Sequence, residues 1–161
     1  MNVYYDSQSI SKENFKYATL LIIEDNNDHW QLIQLALSRS LPEVKATRVA
    51  TPNQAIEYLK SCFLQGIDLP KLILLDLYLP TREDGWELLQ QLKHSTSSYK
   101  HVPVVILSYS NDQEDIADSY FYGSTSYITK PTNVNDWESY IQKLRIYWWE
   151  TVTLPNDRLV I

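Results

Sequence analysis

The sequence predicts an α/β protein with a doubly wound parallel sheet of five strands. Two observations carry this. Short apolar runs alternate five times with stretches of helical spacing along the 161 residues. Alternation of that kind favours right-handed crossovers and a sheet covered by helices on both faces. Acidic, hydroxyl and amine residues also stand just after the apolar runs, where ligands bind in such sheets.

The strands are expected at Thr19 to Ile23, Val44 to Ala50, Leu72 to Leu75, Val102 to Leu107 and Ser126 to Ile128. Helical stripes follow each one. Ile33, Ala36 and Leu37 mark the first. Ala55, Ile56, Leu59 and Phe63 mark the second, opened by Thr51-Pro52, a capping residue before a first-turn proline. Leu88, Leu89 and Leu92 mark the third, after Asp84-Gly85. Ile116, Ala117 and Tyr120 mark the fourth, capped near Asn111 or Asp112. Trp137, Ile141, Leu144 and Trp148 mark the fifth, started by Thr132 or Asn133. The expected arrangement is flavodoxin-like, (βα)5, in strand order 2-1-3-4-5.

Composition narrows the classes. Hydrophobic residues make up 44% and charged residues 21%, as in an ordinary globular domain. The net charge of -6 argues against nucleic acid or an anionic membrane as the main partner. No segment approaches the ~18 apolar residues of a membrane span. The first residues lack the apolar centre of a signal peptide, so a cytoplasmic location is expected. The single cysteine, Cys62, reads as a small core residue. Residues 1–17 read as a polar tail, 18–146 as the domain, and 147–161 as an extension that packs on the core or serves as a dimerisation or docking arm.

The strand ends carry the chemistry. Strand 1 ends in Glu24-Asp25, strand 3 in Asp76, strand 4 in Ser108 and strand 5 in Lys130-Pro131. Asp76 interrupts the apolar run KLILLDLYLP, where a lone carboxylate would be costly to bury. Each residue also has a plain reading: Asp25 as a helix cap, Ser108 as turn chemistry, Lys130 as a solvated charge. As a set, the carboxylates Glu24, Asp25 and Asp76 suit a hard divalent cation such as Mg²⁺. Asp76 can then attack a phosphoryl group, with Lys130 neutralising its oxygens and Ser108 hydrogen-bonding one of them.

In order and phase, IIEDN, LILLDLYLP with DG downstream, VVILSYS and YITKP resemble the receiver domains of two-component response regulators. The resemblance runs from Thr19 through helix 5. It implies Asp76 as phosphoacceptor, Glu24 and Asp25 as the acid pair, and Tyr78 as donor of a main-chain carbonyl to Mg²⁺. It further implies Ser108 as switch hydroxyl, Lys130 as phosphate-binding lysine, Tyr127 as the switch aromatic and a cis Lys130–Pro131 bond. The implied function is a switch phosphorylated by a histidine kinase, catalysing only its own phosphorylation and dephosphorylation. Two departures stand out: Glu-Asp replaces the commoner Asp-Asp, and the segment from Asp76 to Asp84-Gly85 is one residue longer than usual. The ending RIYWWETVTLP is similar to single-domain regulators partnered with cyanobacterial phytochrome kinases, often dimers.

Alternatives differ in what they require. A pseudo-receiver, a pure interaction module, would lack an acid, the acceptor or the lysine. A haloacid-dehalogenase-type phosphatase needs an acid where Tyr78 stands, and a flavodoxin needs a hydroxyl- and glycine-rich loop where EDNND stands. His29, His94 and His101 show no zinc spacing and receive no role.

Overall fold

Each apolar run forms a strand of one sheet in the computed structural model, which describes residues 12–155. The strands are β1 (Thr19–Ile23), β2 (Lys45–Val49), β3 (Leu72–Asp76), β4 (Val104–Ser108) and β5 (Ser126–Thr129). All neighbours pair in parallel, in the order β2-β1-β3-β4-β5. The helices that follow the strands are α1 (Asn27–Ser40), α2 (Pro52–Gln65), α3 (Arg82–Lys93), α4 (Gln113–Phe121) and α5 (Val134–Leu144).

Period-two alternation divides the strand side chains between two cores. Leu20, Ile22, Leu72 and Leu74 join Ile33, Ala36, Trp137 and Ile141 on the α1 and α5 face. Leu21, Ile23, Ile73 and Leu75 join Ala55, Leu59, Leu88 and Leu89 on the other. Full burial of each such leucine or isoleucine contributes about 1.5–3 kcal/mol. The inner strands are therefore apolar on both faces, and β3 is buried along its length, including Asp76.

Local chemistry sets the helix starts. The side chains of Asn26, Thr51, Thr81, Asp112 and Asn133 each accept a hydrogen bond from the first turn of the helix they cap. Helix α3 begins before Asp84-Gly85 rather than after it, because Thr81 and Asp84 form a capping box that places both residues in the first turn. Gly85 is required by close approach: a Cβ there would lie 1.9 Å from the Leu77 carbonyl oxygen.

Two stripes differ from the spacing. On α2 the inner position falls to Cys62, a free buried thiol, and Phe63 faces solvent. On α4 the buried residues are Asp115 and Ser119, while Ala117 and Tyr120 are exposed and Ile116 is half-buried. Polar partners beneath α4, described below, override the apolar periodicity. The cis peptide bond among the described residues is Leu79–Pro80, and Lys130–Pro131, expected cis, is not. An X–Pro amide admits either isomer, so the local turn decides. Here the Leu79 N–H donates to the Thr81 carbonyl at 3.1 Å across Pro80.

Residues 1–11 of the expected tail and 156–161 of the expected arm lie outside the described residues. Beyond α5 the chain makes a π-helical turn, Arg145–Thr151, closed by the Val152 N–H on the Tyr147 carbonyl at 2.9 Å. This winding buries the adjacent Trp148 and Trp149 together in the α1–α5 core. Asn14 clasps the turn from the N-terminal side: its amide donates to the Trp149 carbonyl at 3.1 Å and accepts the Leu154 N–H at 3.1 Å. Arg145 adds a two-pronged pair with Glu43 at 2.7 and 3.0 Å.

Candidate functional site

The parallel sheet brings the predicted residues to one edge, because all five strands end there. Glu24 and Asp25 follow β1, Asp76 closes β3, Ser108 closes β4 and Lys130 follows β5. β1 and β3 are neighbours at the point where the strand order reverses. Carboxylate oxygens of Glu24, Asp25 and Asp76 all lie within 4.8 Å of one another.

Lys130 is the cation of the cluster. Its Nζ lies 2.7 Å from Glu24 Oε2 and 3.4 Å from Asp76 Oδ2. Glu24 is 1% exposed, and its other oxygen accepts the Asn26 N–H at 3.1 Å. Glu24 thus bridges the lysine and the start of the β1–α1 loop. Burial pushes the Asp76 carboxyl up to about 7; Lys130 opposes this and Glu24 reinforces it. The Tyr78 N–H donates to Asp76 Oδ1 at 3.2 Å. Buried Glu24 and Asp76 and exposed Asp25 face one ammonium, so the cluster lacks positive charge, and its all-oxygen donor set fits a hard divalent cation that keeps several waters.

Spacing missed two groups around this cluster. His29, in the first turn of α1, places Nδ1 3.2 Å from Lys130 Nζ and 3.4 Å from Glu24 Oε1. Its Nε2 meets the Tyr109 hydroxyl at 3.3 Å, and the Tyr109 ring centroid lies 5.3 Å from Lys130 Nζ. The two rings roof the lysine. Asp115 is the second: it accepts hydrogen bonds from Ser110 Oγ at 2.7 Å, Arg82 Nη1 at 2.9 Å and the Tyr78 hydroxyl at 3.1 Å. Burial raises its carboxyl, but these donors outweigh burial and hold it below the usual carboxylate range. The available signals were slight: His29 lies just past the acid-bearing loop, and Asp115 and Ser119 are four residues apart on α4.

Tyr127 is half-buried, and its hydroxyl donates to the Ser110 carbonyl at 2.8 Å. The Ser108 hydroxyl accepts the Ser110 N–H at 3.1 Å. The loop after β4 thus touches the phenol, the roof over the lysine and the hydroxyl at once.

A doubly wound sheet with clustered carboxylates, a buried lysine and a hydroxyl at its carboxyl edge defines a phosphoryl-accepting signalling domain. The chain belongs to the response regulator receiver domain family, which matches residues 20–142. It is 32% identical over 147 residues to the response regulator Rcp1 of a Synechocystis species, covering 91% of this chain and 99% of that protein. It is 33% identical over 129 residues to a probable methanogenesis regulatory protein, FilR2, of Methanothrix harundinacea, covering 80% of this chain and 82% of that one. Among solved structures, Mn²⁺-bound Rcp1 superposes with a TM-score of 0.74 at 32% identity, covering 86% of this chain and 99% of that one. The phosphorylated cyanobacterial phytochrome response regulator RcpA gives 0.76 at 34% identity, covering 86% and 99%.

Receivers bind Mg²⁺ through their acidic residues, and the cluster here fits that ion. Glu24, Asp25, Asp76, Ser108 and Lys130 are all present, so the pseudo-receiver reading has no support. Among the described residues no helix is long and apolar enough to cross a membrane.

Proposed function

We propose that Asp76 is the phosphoacceptor of a response regulator and that a histidine kinase is its donor. The observation that carries this reading is the Glu24–Asp25–Asp76 cluster with Lys130 paired to Glu24 and beside Asp76. An Asp76 carboxylate oxygen attacks phosphorus; the new O–P bond forms as the N–P bond to the donor imidazole breaks, and the imidazole leaves with the bond's electron pair. Lys130 neutralises oxygens of the transferred group, and Ser108 donates its hydroxyl to one of them. Glu24, Asp25, Asp76 and the Tyr78 carbonyl would hold Mg²⁺. When bound, the ion supplies charge that ionises Asp76 and steadies the phosphoryl oxygens. The chain's own catalysis extends only to its phosphorylation and dephosphorylation.

Phosphorylation shifts an existing equilibrium through Ser108 and Tyr127. The likeness to RcpA, a cyanobacterial phytochrome response regulator, supports a phytochrome-type kinase as partner, and the same proposal has the chain act in the cytoplasm as a homodimer. Exposed Ile146 and Tyr147, on the turn of the 147–161 extension and just before it, supply apolar area for that dimer. Intact mass after incubation with acetyl phosphate tests the reading. One phosphoryl group is gained with Mg²⁺, none without it and none in Asp76→Asn; an unlabelled parent beside a labelled control receiver overturns it.

A further inference from the structure

Helix α4 turns a carboxylate inward, and polar groups from elsewhere in the fold meet it. Asp115 is 2% exposed, and its three donors come from three different segments: Tyr78 from the β3–α3 loop, Arg82 from the start of α3 and Ser110 from the β4–α4 loop. Desolvating a carboxylate costs several kcal/mol, so such a group is a poor source of stability; what a fully satisfied one supplies is a single arrangement of its donors.

Two of those donors hold matched places in the site. Tyr78 stands two residues beyond Asp76, and its N–H donates to Asp76 Oδ1 at 3.2 Å. Ser110 stands two residues beyond Ser108, and its N–H donates to Ser108 Oγ at 3.1 Å. The Tyr78 side chain therefore runs from the rim of Asp76 to α4 and is anchored at its far end by Asp115. On the other loop, fixing Ser110 fixes the carbonyl that receives the Tyr127 hydroxyl at 2.8 Å. It also fixes the adjacent Tyr109, whose ring covers Lys130. One carboxylate thus restrains the groups on both sides of the phosphorylation site.

We infer, building on the phosphoacceptor reading above, that Asp115 is a positioning residue for Asp76 chemistry. It anchors Tyr78 across the approach to Asp76 and holds the Ser108–Ser110 loop against Tyr127, so that the aspartyl phosphate is shielded from water. Water reaches the phosphoryl group more readily when the anchor is lost. Arg82 is 41% exposed in its side chain and can turn to solvent when Asp115 is removed, so the change need not leave a stranded buried charge.

The test follows the decay of the phosphorylated full chain by intact mass after labelling with acetyl phosphate and Mg²⁺ and removal of the donor. The variants are Asp115→Ala, Tyr78→Phe, Ser110→Ala and the Asp115→Ala/Tyr78→Phe pair. Asp115→Ala and Tyr78→Phe are each expected to speed hydrolysis roughly three- to tenfold, the scale of one lost hydrogen bond. The pair is expected to decay no faster than Asp115→Ala alone, since both changes cut the same anchor. A merely structural Asp115 would lower the unfolding midpoint and leave the decay constant where it was. If Asp115→Ala does not fold, Tyr78→Phe and Ser110→Ala, each losing one hydroxyl, decide the matter by the same rate. A labelled parent whose variants decay at its own rate, or a pair whose effects multiply, overturns the role of Asp115 alone. A parent that takes no phosphoryl group overturns the phosphoacceptor reading, and this inference with it.

Discussion

Lys130 and Glu24 form a buried ion pair at 2.7 Å, each side chain 1% exposed, between the end of the edge strand β5 and the end of β1. The pair spans the carboxyl edge of the sheet, and Asp76 lies beside it at 3.4 Å from the same ammonium. The lysine is therefore committed to structure before any phosphoryl group arrives.

Removing that lysine leaves Glu24 buried beside two other carboxylates. Lys130→Ala is expected to lose about 3 kcal/mol of stability in EDTA, the scale for breaking a buried pair. Mg²⁺ should return part of it by supplying positive charge to the same acids. Urea unfolding with and without Mg²⁺ reads both effects; equal losses in the two buffers would mean that the ion does not bind at this cluster.

The raised Asp76 pKa gives a pH dependence with a definite sign. Folding lifts this carboxyl from an ordinary 3.8 to about 7, chiefly through burial. The folded chain thus holds the proton more tightly than the unfolded chain. That contribution to stability is complete below about pH 4 and is lost as pH rises toward 7. In EDTA at pH 8, Asp76→Asn should be the more stable protein by roughly 2–4 kcal/mol, with the gap closing by pH 4. Protons and Mg²⁺ compete for the same carboxylate, so the apparent Mg²⁺ affinity of the parent should rise from pH 5.5 to 7.5. Urea midpoints and calorimetric titrations across that range check the two expectations.

Gly85 tests how tightly α3 is pressed against the loop after Asp76. Its missing Cβ would sit 1.9 Å from the Leu77 oxygen, an approach no flexible side chain can relieve. Gly85→Ala should cost more than about 3 kcal/mol, although alanine is the better helix former. Thermal unfolding measures it, and a neutral outcome would show that the Leu77–Tyr78 segment yields easily.

Trp148 and Trp149 are part of the monomer's core, so replacing them tests folding rather than association. The informative change is Tyr147→Arg, at a side chain 54% exposed beside them. It should shift a dimeric parent to monomer in size exclusion while moving the unfolding midpoint little, since exposed changes cost within about 0.5 kcal/mol. An unchanged elution volume from a dimeric parent would count against an interface at Tyr147.

The sequence by itself determined the strands, their order and the residues at their ends. Alternating apolar runs and helical stripes are local patterns, and a parallel sheet then leaves its carboxyl edge as the one place where Glu24, Asp25, Asp76, Ser108 and Lys130 can gather. Capping residues such as Thr51 and Asn133 were legible for the same reason, since a cap acts on its own first turn. Only the tertiary structure decided which side of α4 faces inward. Asp115 is buried there because donors from Tyr78, Arg82 and Ser110, distant in sequence, converge on it, and no periodicity encodes such partners. The same holds for His29 over Lys130 and for the two tryptophans, whose joint burial depends on a π-turn and on Asn14 from the other end of the chain. Local spacing fixes what an element is; the groups it meets across the fold fix which of its faces is buried and what that face does.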